Sequence, residues 1–153
     1  EVGKGFRAEA GGCVIEVMNP PGAEALHEED NENSLVLGLK YKEFSALLMG
    51  DAGLAVESGL VNEWHAGYEK DRRVTLLKLG HHGSRTATGE EFIEKARPSY
   101  ALVSCGANNR FGHPNPAVVE RVEGAGARLL RTDRHGALLV STDGVKVEVR
   151  SAD

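Results

Sequence analysis

The chain has 153 residues, 41% of them hydrophobic, and a formal net charge of −5. That size and apolar content allow a domain with a buried core, and no stretch approaches the roughly 20 apolar residues of a membrane helix. The negative balance argues against a simple, uniformly basic nucleic-acid-binding module.

The charge is unevenly distributed. Residues 1–71 hold 5 basic and 14 acidic side chains, net −9; residues 72–134 hold 11 and 6, net +5; residues 135–153 hold 2 and 3, net −1. A positive middle segment suits an anionic substrate such as a phosphodiester, and arginines on solvated helix faces produce the same pattern. The chain opens at Glu1-Val2-Gly3 with no initiator Met and no signal-peptide pattern, and is read as a piece cut from a longer protein. Cys13 and Cys105 lack metal-motif spacing. They are expected to be small core residues, with a disulfide between them left open.

In chain order, residues 13–18 (CVIEVM) read as a short strand stopped by Pro20-Pro21-Gly22. Residues 22–33 are acidic and without apolar periodicity, hence a loop. The apolar runs 35–40 and 44–49 flank a polar break and predict a hairpin ending on Gly50-Asp51. Val56, Leu60, Val61 and Trp64 share one helical face over 54–66, although Gly59 weakens that helix. Residues 74–79 (VTLLKL) predict a strand. Thr88 and Glu91 have capping-box spacing before a helix carrying Phe92, Ile93 and Ala96, closed by Pro98. Residues 99–104 predict a second buried strand. Asn115 caps and Pro116 opens a helix with Val118, Val119 and Val122, and residues 128–131 predict a third strand. The resulting βαβαβ pattern implies a mostly parallel stretch of sheet. Residues 137–142, Asp143-Gly144 and the alternating 145–150 predict a final hairpin.

The chemistry-bearing residues fall at strand ends, where α/β sheets place their ligands. Asp51 follows one predicted strand; a carboxylate there is a hard oxygen ligand for a divalent metal, or a plain turn residue. His81 and His82 follow the next, bracketed by Gly80 and Gly83, which allow a sharp turn. If that segment is extended, the two imidazoles point to opposite sides and at most one aims into a site. His113 lies in the loop after the second parallel strand, beside Asn108, Asn109 and Arg110. Arg110 can clamp a phosphate oxygen; His113 can donate a proton or a hydrogen bond to developing negative charge. Asp133 follows the third strand and could support the site from behind. His27, His65 and His135 have no partner spacing.

These residues sit in segments that resemble a known family. Asn31-Glu32-Asn33-Ser34-Leu35-Val36-Leu37, Leu47-Leu48-Met49-Gly50-Asp51, Leu77-Lys78-Leu79-Gly80-His81-His82-Gly83-Ser84, Asn109-Arg110-Phe111-Gly112-His113-Pro114 and Arg131-Thr132-Asp133 look like the ordered motifs of the metallo-β-lactamase-like domain of ComEC DNA-uptake channels. The resemblance runs over about residues 14–140. It implies the C-terminal part of an αββα sandwich and a two-metal hydrolytic site using zinc or manganese. Asp51 would match the bridging aspartate and His82 the terminal histidine ligand, with His81 lining the site; the reverse assignment of the two histidines stays open. On the same basis Ser84, Arg85 and Asn109 would contact substrate, His113, Arg110 and His81 would take part in catalysis, and Asn33 and Asp133 would support the site. The implied setting is a domain outside the bacterial cytoplasmic membrane, joined to channel segments and degrading the non-transported DNA strand.

Two departures matter. The family's His-x-His-x-Asp-His cluster has no counterpart here, and Met49 stands where the family usually has Thr. Without that cluster, two protein ligands are too few for a catalytic metal pair. The expectation is therefore one domain over residues 1–153, lacking its N-terminal half, inactive and weakly metal-binding by itself. A missing half could also leave an apolar face open to self-association. Competing expectations are a phosphodiesterase or phosphocholine esterase with the same motifs, and a non-catalytic module that binds DNA or assembles the channel.

Overall fold

The structure, a computed structural model, describes residues 2–22, 26, 28–64 and 73–152. His27, His65 and the end of the predicted 54–66 helix lie outside the described residues.

The strands and helices follow the expected order with two additions, a strand at the start and a single helical turn before the final hairpin. Strands β1 (Arg7–Ala10), β2 (Cys13–Asn19), β3 (Val36–Tyr41) and β4 (Phe44–Leu48) form an antiparallel meander. Strand β1, RAEA, has no apolar alternation and is exposed throughout; it exists because β2 offers it a backbone edge. From β4 onward the chain is a β–α repeat: α1 (Leu54–Trp64), β5 (Leu76–Lys78), α2 (Glu90–Ala96), β6 (Tyr100–Val103), α3 (Pro116–Gly124) and β7 (Arg128–Arg131). Strands β4 to β7 are mutually parallel, so the parallel stretch begins one strand earlier than the sequence pattern suggests. All seven strands form one sheet in sequential order. A single helical turn, α4 (Thr132–His135), leads to the separate hairpin β8 (Leu138–Thr142) and β9 (Val147–Ser151).

Period-two alternation decides which side chains meet the helices. Val36, Leu47, Leu77, Ala101 and Val103 occupy one face and share a core with Val56, Leu60 and Val61 of α1, Phe92 and Ile93 of α2, and Val118 and Val122 of α3. Leu77, Leu79, Ile93, Val118 and Val122 are essentially inaccessible, and burial of each such side chain contributes roughly 1.5–3 kcal/mol. The opposite face carries Leu48, Lys78 and Leu102, which register side by side and are each half-buried.

Side-chain bonds secure the loops. Asn19, buried, donates its amide to the carbonyls of Glu32 and Ser34 at 2.7 and 2.8 Å. Glu32 accepts from the Val56 amide in the first turn of α1 at 3.2 Å. The acidic loop thus supplies an α1 cap that its composition does not announce. The N-terminus of α2 also differs from expectation. Thr88 has φ 58° and its buried hydroxyl has no partner; Gly89 is the N-cap. The amides of Thr88 and Gly89 donate instead to Glu57 of α1, at 2.5 and 2.7 Å. Asn115 does cap α3, accepting from Ala117 at 3.1 Å. The final hairpin is tied to the β3–β4 turn where Glu43 and Phe44 donate to the Gly144 carbonyl. Cys13 and Cys105 are half-buried and both free.

Candidate active site

The parallel strands end side by side, so the segments after β4, β5, β6 and β7 share one sheet edge. Asp51 follows β4 through Gly50, whose φ is +58°; the His81 amide donates to the Gly50 carbonyl at 3.0 Å and joins the first two loops. Gly80 is packed so closely that a Cβ would lie 2.4 Å from the Ala52 carbonyl oxygen. The role of this glycine is close approach.

The segment His81-His82-Gly83 is not extended. All three residues have left-handed backbone, with φ of 44°, 53° and 77°, closed by the Ser84 amide donating to the His81 carbonyl at 2.9 Å. The premise that would send the two histidines to opposite sides therefore fails. His82 Nε2 lies 3.4 Å from Asp51 Oδ1. His81 faces His113, with ring centroids 6.0 Å apart in an edge-on arrangement. His113 in turn stacks on Phe111 at 5.8 Å, with an interplanar angle of 18°, and the Arg110 guanidinium sits 4.9 Å over the Phe111 ring. A continuous series of contacts runs from His81 to a cation.

The other expected site residues are placed as follows. Asn109 commits its side chain to its own loop: its amide donates to the carbonyls of Gly106 and His113, at 2.8 and 2.7 Å, and its Oδ1 accepts from the His113 amide at 2.9 Å. It positions His113 and has no group left pointing at a substrate. Ser84 is buried, and its hydroxyl is paired with Thr86 at 3.0 Å, again a loop-forming role in place of a substrate contact. Arg85 and Arg110 are exposed. Asn33 lies in a short 3-10 turn just before Ser34, whose hydroxyl accepts from the Asp51 amide at 3.2 Å. Asp133 forms a bidentate pair with Arg131, at 3.0 and 2.6 Å, with little exposure on either side. That guanidinium holds the Asp133 carboxyl below its ordinary value, and burial pushes the neighbouring Cys105 thiol up.

Lys78 is a site residue that sequence reading passed over. It lies at the end of β5 on the face away from the helices; burial lowers its ammonium below the ordinary value, while Asp51 and Cys105 favour its charge. A lysine inside the apolar run VTLLKL was the available signal. His113 is also held below its ordinary value, first by burial and then by His81 and His82. A depression of about 770 Å³ lies on the helix side, lined by residues that include Arg73, Glu90, Arg97 and Arg121; none of the strand-end residues borders it.

His82 Nδ1 is 2.7 Å from the Ser104 carbonyl, which can only accept. Nδ1 therefore carries a proton, and Nε2 is turned to the Asp51 carboxylate, a contact that a cation between the two groups would complete. In kind, imidazole nitrogen and carboxylate oxygen suit zinc or manganese, and a carbonyl behind the imidazole is the support that ligating histidines use. In number they fall short: among the described residues no group of three or more His, Cys, Asp or Glu side chains could hold an ion.

The chain is 33% identical over 138 residues to ComE operon protein 3 of Bacillus subtilis, covering 90% of this chain and 17% of that protein. It is 34% identical over 139 residues to competence protein ComA of Neisseria gonorrhoeae, covering 90% and 19%. This chain is a homologue of the ComEC family of competence proteins. Recombination protein 2 of Haemophilus influenzae matches at 28% over 92% of the chain and 17% of its own length. The chain spans less than a fifth of these ComEC relatives. No protein-family model matches. Among solved structures, the CmlA beta-hydroxylase E377D mutant superposes with a TM-score of 0.56 at 14% identity, over 86% of this chain and 32% of that one. That neighbour has the metallo-β-lactamase fold, and the seven-stranded mixed sheet here is of that class.

Proposed function

We propose that this ComEC-related chain is the substrate-facing part of a metal-dependent hydrolase domain that cleaves DNA phosphodiesters during competence-linked uptake. The observation carrying this reading is the Asp51–His82 pair at 3.4 Å on the same sheet edge as His81, His113 and Arg110. Half a ligand set beside an anion clamp is what phosphodiester hydrolysis requires of one side of a site. In the complete domain, bound zinc or manganese would supply Lewis acidity and a water of lowered pKa. Two ligands do not by themselves make that site.

The chain's own residues have clear tasks. Arg110 is exposed and permanently charged, suited to a non-bridging phosphate oxygen. His113, whose charged form burial disfavours, offers a hydrogen bond to charge developing on the phosphate or leaving oxygen. Asp51 and the Ser104 carbonyl together orient His82. In this reading DNA is the substrate and channel segments of the same polypeptide are the partner, in keeping with a competence protein among the relatives. The parent protein is then placed in the bacterial cytoplasmic membrane with this domain outside it. No described helix is long and apolar enough to cross a membrane.

The test compares this chain with a version extended at its N-terminus, measuring zinc and manganese content and DNA hydrolysis. The extended protein is expected to bind metal stoichiometrically and cleave DNA, and the short chain to do neither. Tight stoichiometric metal in the short chain would overturn the half-site reading. A metal-loaded extended protein that binds DNA without cleaving it would favour a non-catalytic channel module. Preference for a phosphocholine ester would move it to the esterases.

A further inference from the structure

Phe111 is 67% exposed. Single exposed apolar residues are common and need no explanation, but the setting of this one differs. It stands on a braced loop: Asn109 makes three hydrogen bonds across residues 106–113, and the Asn115 amide donates to the Gly83 carbonyl at 2.8 Å, fastening that loop to the one carrying His81, His82 and Arg85. The ring is therefore held out into solvent by structure. It is layered with two flat groups, the His113 imidazole at 18° and the Arg110 guanidinium at 4.9 Å, while most of its surface remains open. A largely open aromatic surface beside the Arg110 cation, one contact away from a candidate catalytic histidine, is complementary to one class of ligand: an unpaired base with its phosphate.

We propose that Phe111 is a stacking platform for a nucleobase, with Arg110 and Arg85 holding the adjoining phosphates, so that the site takes nucleic acid as a single strand. In a duplex both faces of each base are already stacked and unavailable to the ring. Stacking on an aromatic side chain tolerates any base, because every base has a π-face. Phe111 is a positioning residue in this scheme. It places the backbone beside His113 and reacts with nothing. This assignment rests on the phosphodiester reading given above for the identity of the ligand, but its test does not require turnover.

Binding of fluorescent oligonucleotides to the 153-residue chain is measured for three probes of equal length: a single strand, the matching duplex, and an abasic single strand with the same phosphates. The single strand is expected to bind more tightly than the other two. Phe111→Ala should weaken single-strand binding about 5- to 100-fold and leave the abasic probe unchanged. Phe111→Trp should restore it. Because the ring is exposed, neither substitution threatens the fold. Equal binding of the abasic and base-bearing strands, or an unaffected Phe111→Ala, overturns the proposal, as does a lack of measurable single-strand binding. Hydrolysis of a base-free phosphodiester by the extended protein reports separately on the catalytic reading. Base-dependent binding without hydrolysis leaves the platform standing and removes the hydrolase.

Discussion

Two imidazoles sit at this sheet edge because three successive residues adopt left-handed backbone. For His81 and His82 that conformation costs on the order of 1–3 kcal/mol each, and the surrounding contacts must hold it. Gly83 meets two demands at once: φ is +77°, and a Cβ would lie 2.7 Å from the Pro114 Cβ. Gly83→Ala is therefore expected to lose about 2–4 kcal/mol of stability, read as a drop in the urea midpoint. Gly59 is the control. It lies within α1 with nothing near its virtual Cβ, so Gly59→Ala should stabilise by about 0.5–1 kcal/mol. A Gly83→Ala protein as stable as the parent would show that the loop relaxes freely. At the same scale the positive middle segment divides: Arg131 is paired with Asp133, and Arg121 donates to the Thr88 carbonyl at 2.6 Å. Exposed Arg85 and Arg110 remain to face a substrate. The residue types at the site were legible from the sequence; their orientations were not, since backbone handedness at His81 and His82 depends on neighbours that the local sequence does not name.

At the scale of elements, Glu57 joins α1 to the start of α2. Its carboxyl accepts from two amides that have no intrahelical partners, at 2.5 and 2.7 Å. Burial nonetheless outweighs those bonds and pushes it up to about 7, with a smaller push from Glu32 and a smaller relief from Arg121. The sign of the pH effect follows. The folded chain holds this proton more tightly than the unfolded chain, where the value is 4.5. Glu57 therefore favours folding most below pH 4.5, and that contribution is lost as pH rises through about 7, by up to about 3 kcal/mol. Relative to Glu57→Gln, the parent protein should lose stability between pH 5 and pH 8 in urea denaturation; a constant difference would contradict the raised value. Glu57→Ala leaves both amides without a partner and should cost about 2–4 kcal/mol at pH 5. Thr88 and Glu91 matched a capping box in spacing. The box fails because Thr88 is itself left-handed and buried, and a carboxylate from 31 residues earlier reaches the amides first.

For the whole molecule, the sheet edge is a consequence of parallel order. Three β–α units in succession carry every β4–β7 strand end to the same side, which is how residues as far apart as Asp51 and Asp133 become neighbours of one site. The same order leaves Lys78 on the face away from the helices, where a second layer of a metallo-β-lactamase sandwich belongs. Metal binding gives a global test. Ligation stabilises a fold by mass action, so manganese or zinc should raise the thermal midpoint of the N-terminally extended protein and leave that of the short chain nearly unchanged. A comparable rise in both would mean that Asp51 and His82 recruit further ligands from this chain.

The local sequence by itself determined the alternation of strands and helices, the apolar face that each element buries, the Asn115 cap and the strand-end positions of Asp51, His81, His82 and His113. These follow from period, spacing and turn chemistry, all of which act over a few residues. Only the tertiary structure decided that both histidines serve one edge, that Asn109 and Ser84 are internal braces, that Glu57 caps a helix not its own, and that β1 is a strand. Each of those depends on a partner brought near by the sheet, and hydrogen bonds and steric contacts act only between groups that the fold has already placed side by side.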